Sequence, residues 1–150
     1  LMHAAFGGHE DSVEYLIDNG AALDRADKAG WTALTAAVRR RAEPIACLLT
    51  DRGAAPDVRA KGGLTPLMLA ARSGSDGIAC CLLEGGAVVD AVDAGGSTPL
   101  MQAAAAGRVE MVSILLEAGA KRTLVNGDGK SATDLAAEAG HRDVVRLLAK

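Results

Sequence analysis

Aromatic residues are almost missing from this sequence: one Phe, one Trp and one Tyr occur among 150 residues. A single thick core draws on several buried rings, so the 49% hydrophobic content, carried mainly by Ala, Leu and Val, predicts a thin core spread along the chain. No apolar run approaches the ~18 residues of a membrane-spanning helix. Neither sign of charge dominates: the net charge of −3 gives no global reason to bind nucleic acid or an anionic membrane. Three cysteines are too few and odd in number for a disulfide framework, and no Asn-x-Ser/Thr sequon occurs. A reducing intracellular setting, cytoplasmic in particular, is the expectation. The chain opens on Leu1, which implies that any targeting peptide is absent or removed.

What the sequence does have is a period of 33 residues. Thr32, Thr65 and Thr98 are followed at the same interval by Ser131. Ala4, Ala37, Ala70, Ala103 and Ala136 form one column, and Leu16, Leu49, Leu82, Leu115 and Leu148 another. Gly20, Gly53, Gly86 and Gly119 each precede an Ala. Within one period the signals describe two short helices and a turn. Thr98 can cap a helix beginning at Pro99, where a missing N–H costs nothing. That helix is predicted to reach about Ala106, with Gly107 after it, and the second to run from Val109 to Glu117. Asn126-Gly127-Asp128-Gly129 then makes a tight turn.

In these features the chain resembles the ankyrin repeat family, whose unit reads roughly Gly-x-Thr-Pro-Leu-His-x-Ala-Ala, then Gly-His, then Leu-Leu and Gly-Ala-Asp. Gly63-Leu64-Thr65-Pro66-Leu67-Met68-Leu69-Ala70-Ala71 carries the first part, and Gly140-His141 through Leu147-Leu148 the second. Five units fit: 1–25, lacking its start, then about 26–58, 59–91, 92–124 and a cap-like 125–150. The resemblance implies an all-α solenoid of helix-turn-helix units joined by β-turn or hairpin fingers, with fingertips and first helices lining a concave face. Leu1 falls in mid-unit without a polar cap, so the natural protein is expected to continue upstream.

Departures from the pattern single out the second unit. Ala33 replaces Pro, and Arg41 stands where the other units have Gly8, Gly74, Gly107 and Gly140, so this interhelix turn is either strained or differently built. The family's His after Leu is replaced throughout by Met2, Thr35, Met68, Met101 and Asp134. The three methionines are expected to fill the interior.

No constellation for chemistry is visible. His9 and His141 lie four periods apart and cannot meet, and His3 has no completing metal-ligand spacing. All three histidines are expected to hydrogen-bond at helix ends. Cys47 and Cys80 share a column on second helices, where packed helices about 8–10 Å apart would keep them unbonded, and Cys81 reads as a core residue. Three free thiols are therefore expected. Gly62-Gly63 and Gly95-Gly96 lack the Lys-Ser/Thr sequel of a phosphate loop and are assigned to turns with positive φ. No metal or cofactor is expected, and no enzymatic activity.

The family resemblance assigns partner contact to the finger before each capping Thr and to the last turn of each first helix. Those positions hold Phe6 in the first unit, Lys28, Trp31, Arg39 and Arg40 in the second, and Lys61, Leu64, Arg72 and Ser73 in the third. Later units offer Ala94, Ser97, Ala105, Ala106, Asp128, Lys130 and Glu138, so basic and aromatic residues gather at one end. Trp and Arg are frequent interface anchors. The expected function is a monomeric, non-catalytic module holding a protein or peptide segment, with acidic groups against the arginines and apolar anchors at the rings. Nucleic-acid binding by the same patch and a passive spacer role are the alternatives; too few stacking aromatics oppose the first.

Overall fold

The computed structural model describes residues 1–150 and contains ten short α-helices in five antiparallel pairs. The first helices are α1 (Met2–Gly7), α3 (Ala33–Arg40), α5 (Pro66–Ser73), α7 (Pro99–Ala105) and α9 (Ala132–Glu138). The second helices are α2 (Glu10–Asp18), α4 (Glu43–Asp51), α6 (Asp76–Glu84), α8 (Val109–Glu117) and α10 (Arg142–Leu148). Substantial helix contacts occur only within a pair or between neighbouring pairs. That pattern defines an all-α repeat stack.

Each local signal has a hydrogen bond behind it. Thr32, Thr65, Thr98 and Ser131 are extended N-caps, and each side-chain oxygen accepts from the N–H three residues on, at 3.3 Å. Where the family's His is replaced by Thr35 and Asp134, those side chains reach back to the backbone N–H of Thr32 and Ser131 and complete capping boxes. Met68 and Met101 are buried in the same column, whereas Met2 is only half-buried.

The turn between paired helices uses the Ala column. In every pair the N–H five residues after the column alanine returns to that alanine's carbonyl, as in Ala42 N–H to Ala37 O and Arg108 N–H to Ala103 O, both 3.0 Å. The geometry requires a left-handed residue in between. Glycine supplies it four times; Arg41, at φ 56°, supplies it once and is the single non-glycine residue of positive φ. Of the two readings of this turn, strain is the one observed.

Burial follows the columns. Ala37, Ala70, Ala103 and Ala136 are fully buried, as are Leu49, Leu82 and Leu115, in one continuous apolar cluster running the length of the stack. Outside the helices the pairs are joined by fingers. The N–H of Asp27, Ala60, Asp93 and Asn126 closes each finger onto the carbonyl four residues on, at 2.9–3.0 Å. Adjacent fingers are stitched by Lys61 N–H to Ala29 O, Ala94 N–H to Gly62 O and Gly127 N–H to Gly95 O. This stitching demands close approach: a Cβ on Gly30 would lie 2.7 Å from Arg59 O. Gly62, Gly63 and Gly96 have the expected positive φ, but Gly95 does not; its N–H binds the Asp93 carboxylate. A second ladder uses Asp24, Asp57 and Asp90, whose carboxylates accept from the N–H of Ala55, Val88 and Lys121 in the next pair.

The expectation of three free thiols is wrong. Cys47 on α4 and Cys81 on α6 are disulfide-bonded, with Cα atoms 5.3 Å apart, and only Cys80 is free and exposed. Cys81 is half-buried rather than a core residue. The separation of about 8–10 Å between packed helices is a distance between axes, and Cα atoms lie about 2.3 Å off each axis, so residues that face one another across the joint come within bonding reach. The facing pair is Cys47 and Cys81, not Cys47 and Cys80. A Cβ at Gly77 would collide with the Glu43 carboxylate, and one at Gly85 with the Thr50 methyl. Small residues let α4 approach. The thiol count therefore no longer argues for a reducing compartment.

Candidate functional site

The first helices and the fingers border a groove, with a pocket between the first and second pairs. Met2, His3 and Phe6 from α1, Asp27 and Trp31 from the following finger, and Ala36 and Arg39 from α3 line a pocket of about 210 Å³. Trp31 is placed by its finger: the Asp27 carboxylate accepts from the N–H of Ala29 (2.8 Å) and Trp31 (3.0 Å). These bonds fix the Trp31 backbone, and the residue is half-buried.

Both rings of the groove carry a cation. The Arg39 guanidinium stacks 4.6 Å from the Trp31 ring centre, and that of Arg40 lies 5.2 Å from Phe6. Stacking occupies the face of a guanidinium and leaves its in-plane N–H groups free, so a stacked arginine still presents its fork to a carboxylate. Phe6, Arg39 and Arg40 are all exposed.

One repeat further on, Lys61, Leu64 and Arg72 occupy the columns of Lys28, Trp31 and Arg39. Lys61 and Arg72 are exposed and Leu64 is half-buried. None of Lys28, Arg39, Arg40, Lys61 and Arg72 takes part in an ion pair. Among the other cations only three do, Arg52 with Glu14 and Asp18, Lys130 with Glu138, and Arg146 with Asp143, so lack of an ion pair is the usual state of a cation in this chain. Ser73 stands apart from its expected neighbours, because its hydroxyl bonds Ala70 O and Ser75 Oγ and serves its own helix end.

Met2, His3, Asp27 and Ala36 were not among the residues expected in the groove. The column of Met2 holds the buried Thr35, Met68 and Met101, so periodicity pointed it to the interior; His3 and Ala36 share a column whose later members Gln102 and Leu135 are partly open, and the orientation of Asp27 could not be read. Of the three histidines, His141 bonds a helix end, at 3.1 Å from Ala105 O, while His3 and His9 make no side-chain hydrogen bond.

A larger recess of about 560 Å³ lies on the outer side of the first pair. Its lining includes Leu1 and Met2, whose column equivalents Leu34, Thr35, Leu67 and Met68 are buried beneath a preceding pair. It is an uncovered stacking surface. No cluster of three or more His, Cys, Asp or Glu residues is arranged to hold a metal, and no helix is long and apolar enough to cross a membrane.

The stacked helix pairs, finger ladder and groove define an ankyrin-type solenoid. The family model for ankyrin repeats, in three copies, matches residues 1–61 and 67–150, and the chain belongs to that family. Ankyrin repeats are generally protein–protein interaction modules and are typically non-catalytic. No curated protein matches the chain.

Proposed function

We propose that the chain is a five-unit interaction domain, divided at about 26, 59, 92 and 125, that holds an extended acidic segment of a partner protein in the groove of its first three units. The observation that carries this reading is the gathering of five cations, Lys28, Arg39, Arg40, Lys61 and Arg72, in the first three units of a chain that is acidic overall, with Arg39 over Trp31 and Arg40 over Phe6. Two are fixed on aromatic rings with their donor edges free, which lowers the ordering cost of a carboxylate contact.

The pocket beside them suits one apolar side chain. Its 210 Å³ falls below the ~300–1,000 Å³ of sites that enclose whole small molecules. The partner then sets an apolar anchor against Met2, Phe6 and Trp31 and carboxylates toward Arg39, Arg40 and Arg72. Leu64 offers a second apolar contact one repeat on. The chain acts as a monomer in this reading. Nucleic acid is the poorer ligand, because both rings are already covered by guanidinium groups where bases would have to stack.

The test is selection of a displayed random 12-residue peptide library against the chain and against an Arg39/Arg40/Arg72→Glu triple variant. Acidic peptides carrying an aromatic or aliphatic anchor are expected from the wild type and lost with the variant. Enrichment of nothing supports the spacer role, and equal enrichment by both proteins places binding elsewhere. Binding of a labelled 20-nucleotide single strand, lost in the triple variant, would favour nucleic acid.

A further inference from the structure

Nothing in the repeat calls for cysteine at positions 47 and 81. The column of Cys47 holds Glu14, Cys80, Ser113 and Arg146, and that of Cys81 holds Leu48, Ile114 and Leu147. The contacts of α2 with α4, α6 with α8 and α8 with α10 stand without a disulfide. Beneath the bond, Ile45, Ala46 and Leu49 of α4 and Ile78, Ala79 and Leu82 of α6 are buried and hold the two pairs together by packing, to which the bond adds a local covalent restraint. The fold does not need the bond.

The bond is also reachable. Cys47 and Cys81 are each only half-buried on the second helices, outside the fully buried columns. Gly77 and Gly85 flank Cys81 at four-residue spacing and leave room for the Glu43 and Thr50 side chains of α4 beside the bond. Cys80, although adjacent in sequence, points about 100° around α6 from Cys81. Its thiol is pushed up by partial burial and then by the carboxylates of Glu84, Asp76 and Glu43. It stays protonated and is a poor internal nucleophile.

We infer that Cys47 and Cys81 form a reversible redox site, a dithiol–disulfide pair that exchanges with small thiols of the glutathione class and so fastens or frees the joint between the second and third helix pairs. In the reducing direction a thiolate attacks one protein sulfur; the S–S bond breaks, a mixed disulfide forms, and the other cysteine leaves as thiolate and takes a proton. A second thiolate attacks the mixed disulfide at the reductant's sulfur. The remaining protein cysteine is released and protonated, and the reductant departs as its own disulfide. Two electrons and two protons enter the protein, and oxidation by the reductant's disulfide retraces the steps. Cys80 is a bystander. The joint backs α3 and α5, which carry Arg39, Arg40 and Arg72, so opening it loosens the groove; that consequence alone rests on the function proposed above.

The test equilibrates the whole chain in dithiothreitol buffers of stepped redox ratio, traps thiols with iodoacetamide and weighs the product. One alkylated cysteine, Cys80, is expected under oxidising conditions and three under reducing conditions. The change should be a single two-electron step that reverses on reoxidation, with helical circular dichroism retained. Hydrogen exchange in α4 and α6 should rise on reduction, and Cys80→Ser should leave the titration unchanged. Three alkylated cysteines in the most oxidising buffer, Cys80 in the recovered cross-link, or loss of helix on reduction would each overturn the proposal. With a peptide from the display selection, weaker binding to the reduced chain supports the coupling to the groove. Equal binding beside a clean titration refutes that coupling and leaves both the redox pair and the groove standing.

Discussion

Replacing Arg41 with glycine should stabilise the protein, although glycine at a helix end usually carries an entropic cost. Arg41 is the left-handed residue closing α3, at φ 56°. A non-glycine residue there gives up about 1–2 kcal/mol. Glycine in its place costs about 0.4–1 kcal/mol through the greater freedom of the unfolded chain. The Arg41 side chain recovers little, since it is exposed and reaches only Gly74 O, at 3.5 Å. The difference favours Arg41→Gly by about 1 kcal/mol, or a Tm increase of about 2–4 °C for a domain of this size. The mirror experiment is Gly140→Ala, at the equivalent turn with φ 78° and nothing within 4 Å of the added methyl group. It should lower Tm by a similar amount. Calorimetry on both variants checks the pair. A lower Tm for Arg41→Gly, with no loss for Gly140→Ala, would refute the backbone argument and give the turn to the arginine side chain.

Asp134→Asn should destabilise the last pair in a pH-dependent way. Hydrogen bonds from the Ser131 side chain and backbone hold the Asp134 carboxyl below its ordinary range. Its contribution is therefore present above about pH 4, the unfolded carboxyl's range, and fades as pH falls through the lower folded value. Urea midpoints of variant and wild type should differ at pH 7 and converge in acid; a constant gap would contradict the assignment. Thr98→Ala removes the N-cap of α7 and should cost about 1 kcal/mol, read as a shift in urea midpoint; no shift would void the capping account. Solution scattering should give a radius of gyration above the ~15 Å expected of a compact 150-residue domain, because pairs touch only their neighbours. A value at or below that figure would argue against the stack.

The parts of this molecule that repeat were readable, and the parts that depend on one particular contact were not. Val109–Glu117 was legible to the residue because its apolar spacing and flanking glycine are local signals. The caps at Thr32, Thr65, Thr98 and Ser131, and the anomaly at Arg41, followed from comparing columns. Cys47–Cys81 was missed because the spacing of helix axes was taken for that of facing residues, and the bonded pair is offset by one residue from the column that Cys47 shares with Cys80. In the groove, the columns supplied Trp31, Arg39 and Arg72, but the rotamers stacking Arg39 on Trp31 and Arg40 on Phe6 are set by neighbouring pairs. The partners of the Ser73 hydroxyl, Ala70 O and Ser75 Oγ, are likewise contacts that no column records.

Trp31 fluorescence tests the central claim most directly, because the chain has no other tryptophan. A display-selected acidic peptide is titrated into the protein while emission wavelength and iodide quenching are followed. The half-buried indole should be quenched in the free chain. On binding it should shift to shorter wavelength and become protected, and Trp31→Ala should weaken binding by about 30-fold, the 2 kcal/mol typical of an interface anchor. Saturable peptide binding with unchanged emission, unchanged quenching and full affinity in Trp31→Ala would place the partner outside this groove.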